Sequence, residues 1–334
     1  MGRPWDMNWE LSRHLWSVHR RMRRGQLTPI VLMLEPLEAC NLRCVGCGRV
    51  REYADHMDAR MPANEALEIA READAPVVSL SGGEPLLHPQ LGEMVGGLVE
   101  DRRWVFLCTN GLLLGEQLDS LPNDRRLCLV VHLDGTEQVH DQVTGQEGAY
   151  RKAEDGISEA VRRGFRVATN TTVFHGSDVG DLRGLFGRLS ELGVEGMMIS
   201  PGYAYEAVPE RELFLNRTES QRVFRELFDG GNLRLPLYDN PLFLDFLKGK
   251  REYPCSAWAV PTRTVLGWRL PCYLIADRHT DDLGEILQPE IWESYGPGND
   301  PRCAGCMLHS GFEPASALDA AVHPWKLLTR RVKQ

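Results

Sequence analysis

The sequence predicts an α/β fold built on parallel strands, followed by a smaller cysteine-rich C-terminal part. Three observations predict it. Between Ile30 and Ser200, short apolar runs alternate with stretches of helical periodicity. Polar motifs fall directly after those apolar runs. Nine cysteines collect mainly in two groups.

Trp9 to Arg24 is a basic amphipathic stretch with Leu11, Leu15 and Val18 among arginines. It reads as a helix capping the chain over residues 1–28, with peripheral membrane contact as the alternative. Ile30 to Leu34 is the first apolar run. A helical pattern through Ala66, Leu67 and Ala70 leads to Ala75–Leu80. A second pattern, Leu91–Leu98, leads to Trp104–Leu107. Leu127–Leu133 is strongly apolar. Tyr150–Arg163 precedes Phe165–Val173, and Leu182–Leu192 precedes Gly196–Ser200. Strands separated by helices imply parallel pairing with crossover connections. Period alone leaves the sheet open or closed. In both forms chemistry gathers after the C-terminal ends of the strands. From Glu206 the pattern is less regular, so the expected division is 1–28, 29–205 and 206–334.

Composition excludes some functions. Hydrophobic residues are 43% and charged residues 25%, and the net charge is -9. Nothing in that balance favours nucleic acid. No apolar run is long enough to span a bilayer, and no signal-peptide pattern opens the chain. The expected location is cytoplasmic. A disulfide framework is not expected there.

Cys40, Cys44 and Cys47 follow the first apolar run at spacing x3 then x2. Three thiolates on one loop can hold a 4Fe-4S cube and leave one iron open. A zinc site or structural thiols are the alternatives, although zinc usually takes paired cysteines and a fourth protein ligand. Ser81-Gly82-Gly83-Glu84-Pro85 follows the second run, and Cys108-Thr109-Asn110 the third. His132-Leu133-Asp134 ends the fourth, Asn170 lies in the fifth, and Ser200 ends the sixth.

This set resembles the radical S-adenosylmethionine superfamily, whose signature is C-x3-C-x2-C. The resemblance implies a partial (β/α)6 barrel in which the open iron binds S-adenosylmethionine. It assigns Gly82, Gly83 and Glu84 to the methionine amino group. Asn110, His132, Asp134, Asn170 and Ser200 become candidates for the cofactor's ribose and carboxylate, with satisfied polar groups at strand ends as the alternative. His132 stands where many relatives carry serine. Thr144 stands where they often carry an arginine.

Cys255, Gly267, Cys272, Cys303 and Cys306 form C-x11-G-x4-C followed by C-x2-C. The pattern resembles the twitch half of an auxiliary-cluster domain, which implies a second iron-sulfur cluster. A four-cysteine zinc fits the count equally.

Longer strings resemble the adenosyl-hopene transferases of hopanoid biosynthesis. They include Leu34-Glu35-Pro36-Leu37, Ser81-Gly-Gly-Glu-Pro-Leu-Leu-His88, Val131-His-Leu-Asp-Gly135, Ser200-Pro-Gly-Tyr-Ala-Tyr-Glu206 and Gly267-Trp-Arg-Leu-Pro-Cys-Tyr273. That resemblance implies addition of a 5′-deoxyadenosyl radical to the alkene of a hydrophobic triterpene. It also implies a small-protein reductant such as flavodoxin or ferredoxin. The sequence departs from it at Ser310, where cysteine is usual, and at Arg49, where lysine is usual. A radical enzyme that abstracts hydrogen is the competing reading. Cys108 belongs to neither cysteine group and is the candidate hydrogen donor, with core packing as its alternative. Cys128 reads as core. Phe243, Leu244, Phe246, Trp258 and Trp268 are candidates for a hydrocarbon pocket, again with core packing as the alternative. Tyr203 and Tyr205 could close the site or pack beneath it.

Overall fold

The structure is a computed structural model and describes residues 3–229 and 235–328. Its centre is a sheet of nine strands. They are β1 (Val31–Leu34), β2 (Val77–Leu80), β3 (Trp104–Thr109), β4 (Leu127–His132), β5 (Arg166–Val173), β6 (Gly196–Pro201), β7 (Thr262–Thr264), β8 (Gly267–Pro271) and β9 (Ala276–Thr280). The order across the sheet is β6-β5-β4-β3-β2-β1-β7-β8-β9. From β1 to β6 every neighbour is parallel. This is the partial (β/α)6 barrel.

Alternation along each strand sorts the side chains. Leu32, Leu34, Val78, Leu80, Val105, Leu107, Leu129, Val131, Val167, Met197 and Ile199 face outward into one large core beneath the crossover helices. The alternate positions face the barrel interior. There Cys128, Val130 and Ala168 pack with Tyr238, and Phe106, Cys108 and Met198 line the same region while only partly buried. An inward side chain that keeps exposure lines open space within the barrel.

The helix Trp5–Met22 closes the barrel's lower end. Met7 packs on Val77 and Trp104, the first residues of β2 and β3. Leu15 and Val18 pack with Ile30, Trp258, Ala259 and Leu318.

The sheet continues beyond residue 205. Strand β7 pairs parallel with β1, and β8 and β9 continue it as antiparallel strands. One hydrophobic core holds Leu32 together with Trp268, Leu270 and Phe312. The C-terminal segment is thus built onto the free edge of β1, which needs pairing like any edge strand.

The aromatic pocket offered above is core instead. Phe243, Phe246 and Trp268 are at most 1% exposed, and Leu244 and Trp258 are buried. Phe246 stacks on Phe312 at 4.6 Å between ring centres. Apolar side chains of this size are buried for transfer energy alone, so composition could not separate the two readings.

Candidate active site

Cys40, Cys44 and Cys47 lie between β1 and the short helix Arg49–Glu52. The Cys47 N–H donates to the Cys44 carbonyl at 3.1 Å, which folds a tight turn. The Val45 N–H donates to the Val143 carbonyl at 2.9 Å and ties the loop to the helix Glu137–Thr144. Arg51 Nη1 donates to the Cys44 and Cys47 carbonyls at 3.4 and 2.5 Å. All three thiols are free and half-buried. Burial pushes the Cys40 thiol up to about 11 and the Cys44 thiol higher, with Cys47 and Cys40 adding to the rise at Cys44. A bound metal centre removes that cost, because it takes the thiolate form. Among the described residues, no three His, Cys, Asp or Glu side chains could hold a single metal ion.

The Gly82-Gly83-Glu84 turn packs directly on this loop. The Gly83 N–H donates to Leu37 O at 3.0 Å, and the Glu84 N–H to Ala39 O at 2.8 Å. A Cβ on Gly83 would sit 2.0 Å from Ala39 O, and one on Gly82, whose φ is +109°, 2.3 Å from Leu37 O. So the close approach that these glycines permit is to the cysteine loop itself. Glu84 is engaged within the protein. It is fully buried and accepts from Leu86 N at 3.0 Å, Thr109 Oγ1 at 2.8 Å and Asn110 N at 2.8 Å. Its side chain fastens the β2 loop to the β3 loop.

Above the strands lies a polar rim. Asn110 Nδ2 donates to Asn41 Oδ1 at 2.7 Å and reaches Cys40 Sγ at 3.9 Å. His132 and Asn170 are register partners on β4 and β5. His132 Nε2 bonds Asp134 Oδ2 at 2.8 Å, and Asn170 Nδ2 lies 3.5 Å from His132 Nδ1. Asp134 Oδ1 accepts from Thr172 N at 2.8 Å, and Asp134 N donates to His140 Nδ1 at 3.2 Å. Ser200 is buried at the end of β6. Ser81 Oγ and Asn170 Oδ1 are buried without a hydrogen-bond partner among the described residues. Buried polar atoms are normally paired, so this rim suits a polar ligand. Thr144 cannot replace an arginine there, since its hydroxyl donates to the His140 carbonyl at 2.9 Å.

The His132–Asp134 pair sets its own protonation. Burial pulls the imidazole down, but the Asp134 carboxylate more than reverses this, and His132 ends above its ordinary value. Burial pushes Asp134 up, and His132 more than reverses that, so the carboxyl ends below its ordinary value. A raised His contributes stability below its unfolded pKa of about 6.5 and loses it as pH climbs through the folded value. A lowered Asp contributes above about 3.9 and loses it as pH falls through the folded value. The pair therefore contributes most between about pH 4 and 6.5. Asp134→Asn should drop His132 below its ordinary value, as read by an NMR titration of its ring protons. An unchanged titration would refute the pairing.

Cys108 lies on β3 opposite Val130 of β4 and faces the barrel interior. Its Sγ is 3.5 Å from Ser79 Oγ. Burial raises the thiol, Ser79 opposes this, and Glu84 adds to it, leaving Cys108 protonated at neutral pH. Cys128 is fully buried, as expected for core.

The cysteines of the second group lie in one part of the C-terminal segment. Cys272 follows β8, and Cys303 and Cys306 flank a turn closed by the Cys306 N–H to Cys303 O at 3.0 Å. Burial pushes the Cys306 thiol up, and Cys255, Cys272 and Cys303 all add to it, which places the four in one region. Gly267 starts the hairpin at φ +125°. Between the two groups stand Tyr203 and Tyr205, edge to face at 5.3 Å. Tyr205 is buried beside Cys47, and the Tyr203 hydroxyl donates to Arg302 O at 3.2 Å. They pack against each other at this junction.

Sequence reading missed a buried charge cluster behind the cysteine loop. Arg49 pairs with Glu35, with Glu38 at 3.7 Å and with Glu52 at 3.5 Å. Its guanidinium also lies over the Tyr53 and Tyr273 rings at 4.6 and 5.4 Å. Burial pushes Glu38 up to about 8, opposed by Arg269. A planar guanidinium stacks and pairs at once where an ammonium cannot, which gives the Arg49 departure a physical reason. The sequence signals were Glu35 inside a matched string and the departure at Arg49.

Comparison with known proteins follows the same lines. The profile of the radical SAM superfamily matches residues 34–189, and that of a domain of unknown function (DUF3463) matches residues 197–330. The chain is 30% identical to the pre-heme d1 synthase of Dinoroseobacter shibae over 314 residues, covering 89% of this chain and 77% of that protein. It is 28% identical to the Fe-coproporphyrin III synthase of Methanosarcina barkeri over 160 residues, 46% of this chain and 39% of that one. The fold resembles that of Streptococcus suis SuiB bound to S-adenosylmethionine, with TM-score 0.65 at 15% identity, covering 86% of this chain and 69% of that one. No helix among the described residues is long and apolar enough to cross a membrane. The chain belongs to the radical SAM superfamily, and its chemistry rests on a 4Fe-4S cluster and S-adenosylmethionine.

Proposed function

We propose that this enzyme adds a 5′-deoxyadenosyl group to the exposed alkene of a hydrophobic triterpene of the diploptene type. The observation that carries this reading is the protonated Cys108 thiol, partly exposed in an apolar interior below a polar rim. Cys40, Cys44 and Cys47 would hold the cluster. Asn110, His132, Asp134, Asn170 and Ser200, with the Gly82–Gly83 turn, would hold S-adenosylmethionine. Once bound, the pair supplies a 5′-deoxyadenosyl radical. Phe106, Val130, Ala168 and Met198 offer an apolar wall to the hydrocarbon and exclude water. Addition makes one carbon–carbon bond and leaves a carbon radical. The Cys108 S–H gives that carbon a hydrogen atom, and one electron and one proton from the reductant restore the thiol. Each turnover consumes two electrons and one proton.

The reductant is a flavodoxin or ferredoxin in this reading. Cys255, Cys272, Cys303 and Cys306 hold an auxiliary iron-sulfur cluster, within a C-terminal unit of residues 206–334. Two of the relatives are named as tetrapyrrole synthases, which favours a second reading in which the radical abstracts hydrogen from a large ring system. One experiment separates them. Anaerobic turnover with diploptene, followed by mass spectrometry, should show an adenosyl adduct. Free 5′-deoxyadenosine with unchanged diploptene would overturn the addition reading.

A further inference from the structure

We propose that the outer face of the helix Trp5–Met22 is a docking surface for an anionic membrane. At 3.6 residues per turn, Trp5, Trp9, Ser12, Arg13, Trp16 and Arg20 fall within a sector of about 100°. Met7, Leu15 and Val18, on the opposite side, are the buried residues of this helix. The three indoles are 80%, 54% and 50% exposed. They are three of only seven large apolar side chains exposed among the described residues, so the exposure is concentrated on one line. The Arg13 guanidinium lies over the Trp9 ring at 4.7 Å.

Charge decides the partner. Both acids of the helix turn away from this face. Asp6 pairs with Arg125, and Glu10 pairs with Arg126 at 2.8 Å and accepts from the Trp104 indole at 2.7 Å. The outer face therefore carries arginine without acid, and Arg21, Arg23 and Arg24 continue the exposed basic run at the helix end. The whole chain has a net charge of -9, so an anionic surface repels the body on average and attracts this arginine-bearing face. Indoles settle at the boundary between headgroups and acyl chains, and arginines pair with lipid phosphates. The helix lies across the lower end of the barrel, so docking leaves the cysteine loop at the far end open to water.

The proposal does not rest on the alkene reading, and its test needs no substrate. The intact enzyme is floated with phosphatidylcholine vesicles and with vesicles that also contain phosphatidylglycerol. Binding should require the anionic lipid, weaken with added salt, and shift tryptophan emission to the blue. The Trp9→Ala/Trp16→Ala and Arg13→Glu/Arg20→Glu double variants should each lose about tenfold or more in binding. Both should keep the melting temperature and the rate of S-adenosylmethionine cleavage. Equal binding to neutral vesicles, no binding to either, or undiminished binding by both variants would overturn it. So would light scattering that shows a dimer which the Trp variant turns into monomer, because the face would then serve self-association.

Discussion

Cys108→Ala is expected to cleave S-adenosylmethionine at close to the wild-type rate while the saturated adduct falls about tenfold or more. The split follows from position. Cys108 lies on β3 inside the barrel, whereas Cys40, Cys44 and Cys47 lie on the loop after β1. Removing its thiol leaves the metal ligands and the polar rim untouched. It does remove the S–H that the adduct radical takes. The radical must then be quenched by solvent or buffer, or lose a hydrogen and reform an alkene. Product mass distinguishes these outcomes, since reformation lacks two hydrogens. Repeating the reaction in deuterated water adds a second readout. The wild-type product should carry one solvent-derived deuterium, because the Cys108 thiol exchanges with water. Cys128→Ala is the matched control. That thiol is fully buried and should alter stability more than product. If Cys108→Ala gives the wild-type product with the wild-type deuterium content, Cys108 is not the donor.

Gly83→Ala should abolish cluster incorporation. Its new Cβ would stand 2.0 Å from Ala39 O and 2.5 Å from Glu38 O, both backbone atoms with no rotamer to give way. The cysteine loop must move, or the turn must. Overpacking of this kind costs about 1–3 kcal/mol or more. Here the strain falls on the residue directly before Cys40. Iron and sulfide content after anaerobic reconstitution should drop to near background, and S-adenosylmethionine cleavage should vanish with it. Gly96→Ala is the control. Gly96 lies in the helix Leu91–Glu100, and a Cβ there meets nothing within 4 Å. Alanine in a helix is favoured over glycine by about 1 kcal/mol. That variant should match or exceed wild-type stability with full iron content. Normal iron content in Gly83→Ala would show that the turn does not brace the loop.

The six parallel strands were legible because burial on both faces writes apolar runs into the chain, and helices between them repeat at their own period. Strand ends such as His132 and Ser200 could be placed to within a residue or two for the same reason. The cysteine groups were legible because metal ligands recur at fixed local spacings. The charge cluster was not. Glu35, Glu38 and Arg49 lie close in sequence but meet Arg269 only through folding, and charged residues ordinarily read as surface. The aromatic residues from Phe243 to Trp268 were ambiguous for a different reason: a pocket wall and a core select the same residue types.

By itself, the sequence determined the strand order along the chain, the two thiol groups and the positions of the polar rim residues. These depend on local period and spacing, which the chain carries directly. Only the tertiary structure decided that the C-terminal segment extends the barrel sheet through β7, that Glu84 braces two loops, and that Gly83 makes room for the cysteine loop. Each is set by contact between residues distant in sequence, where packing and hydrogen-bond pairing choose among arrangements that local pattern leaves equal.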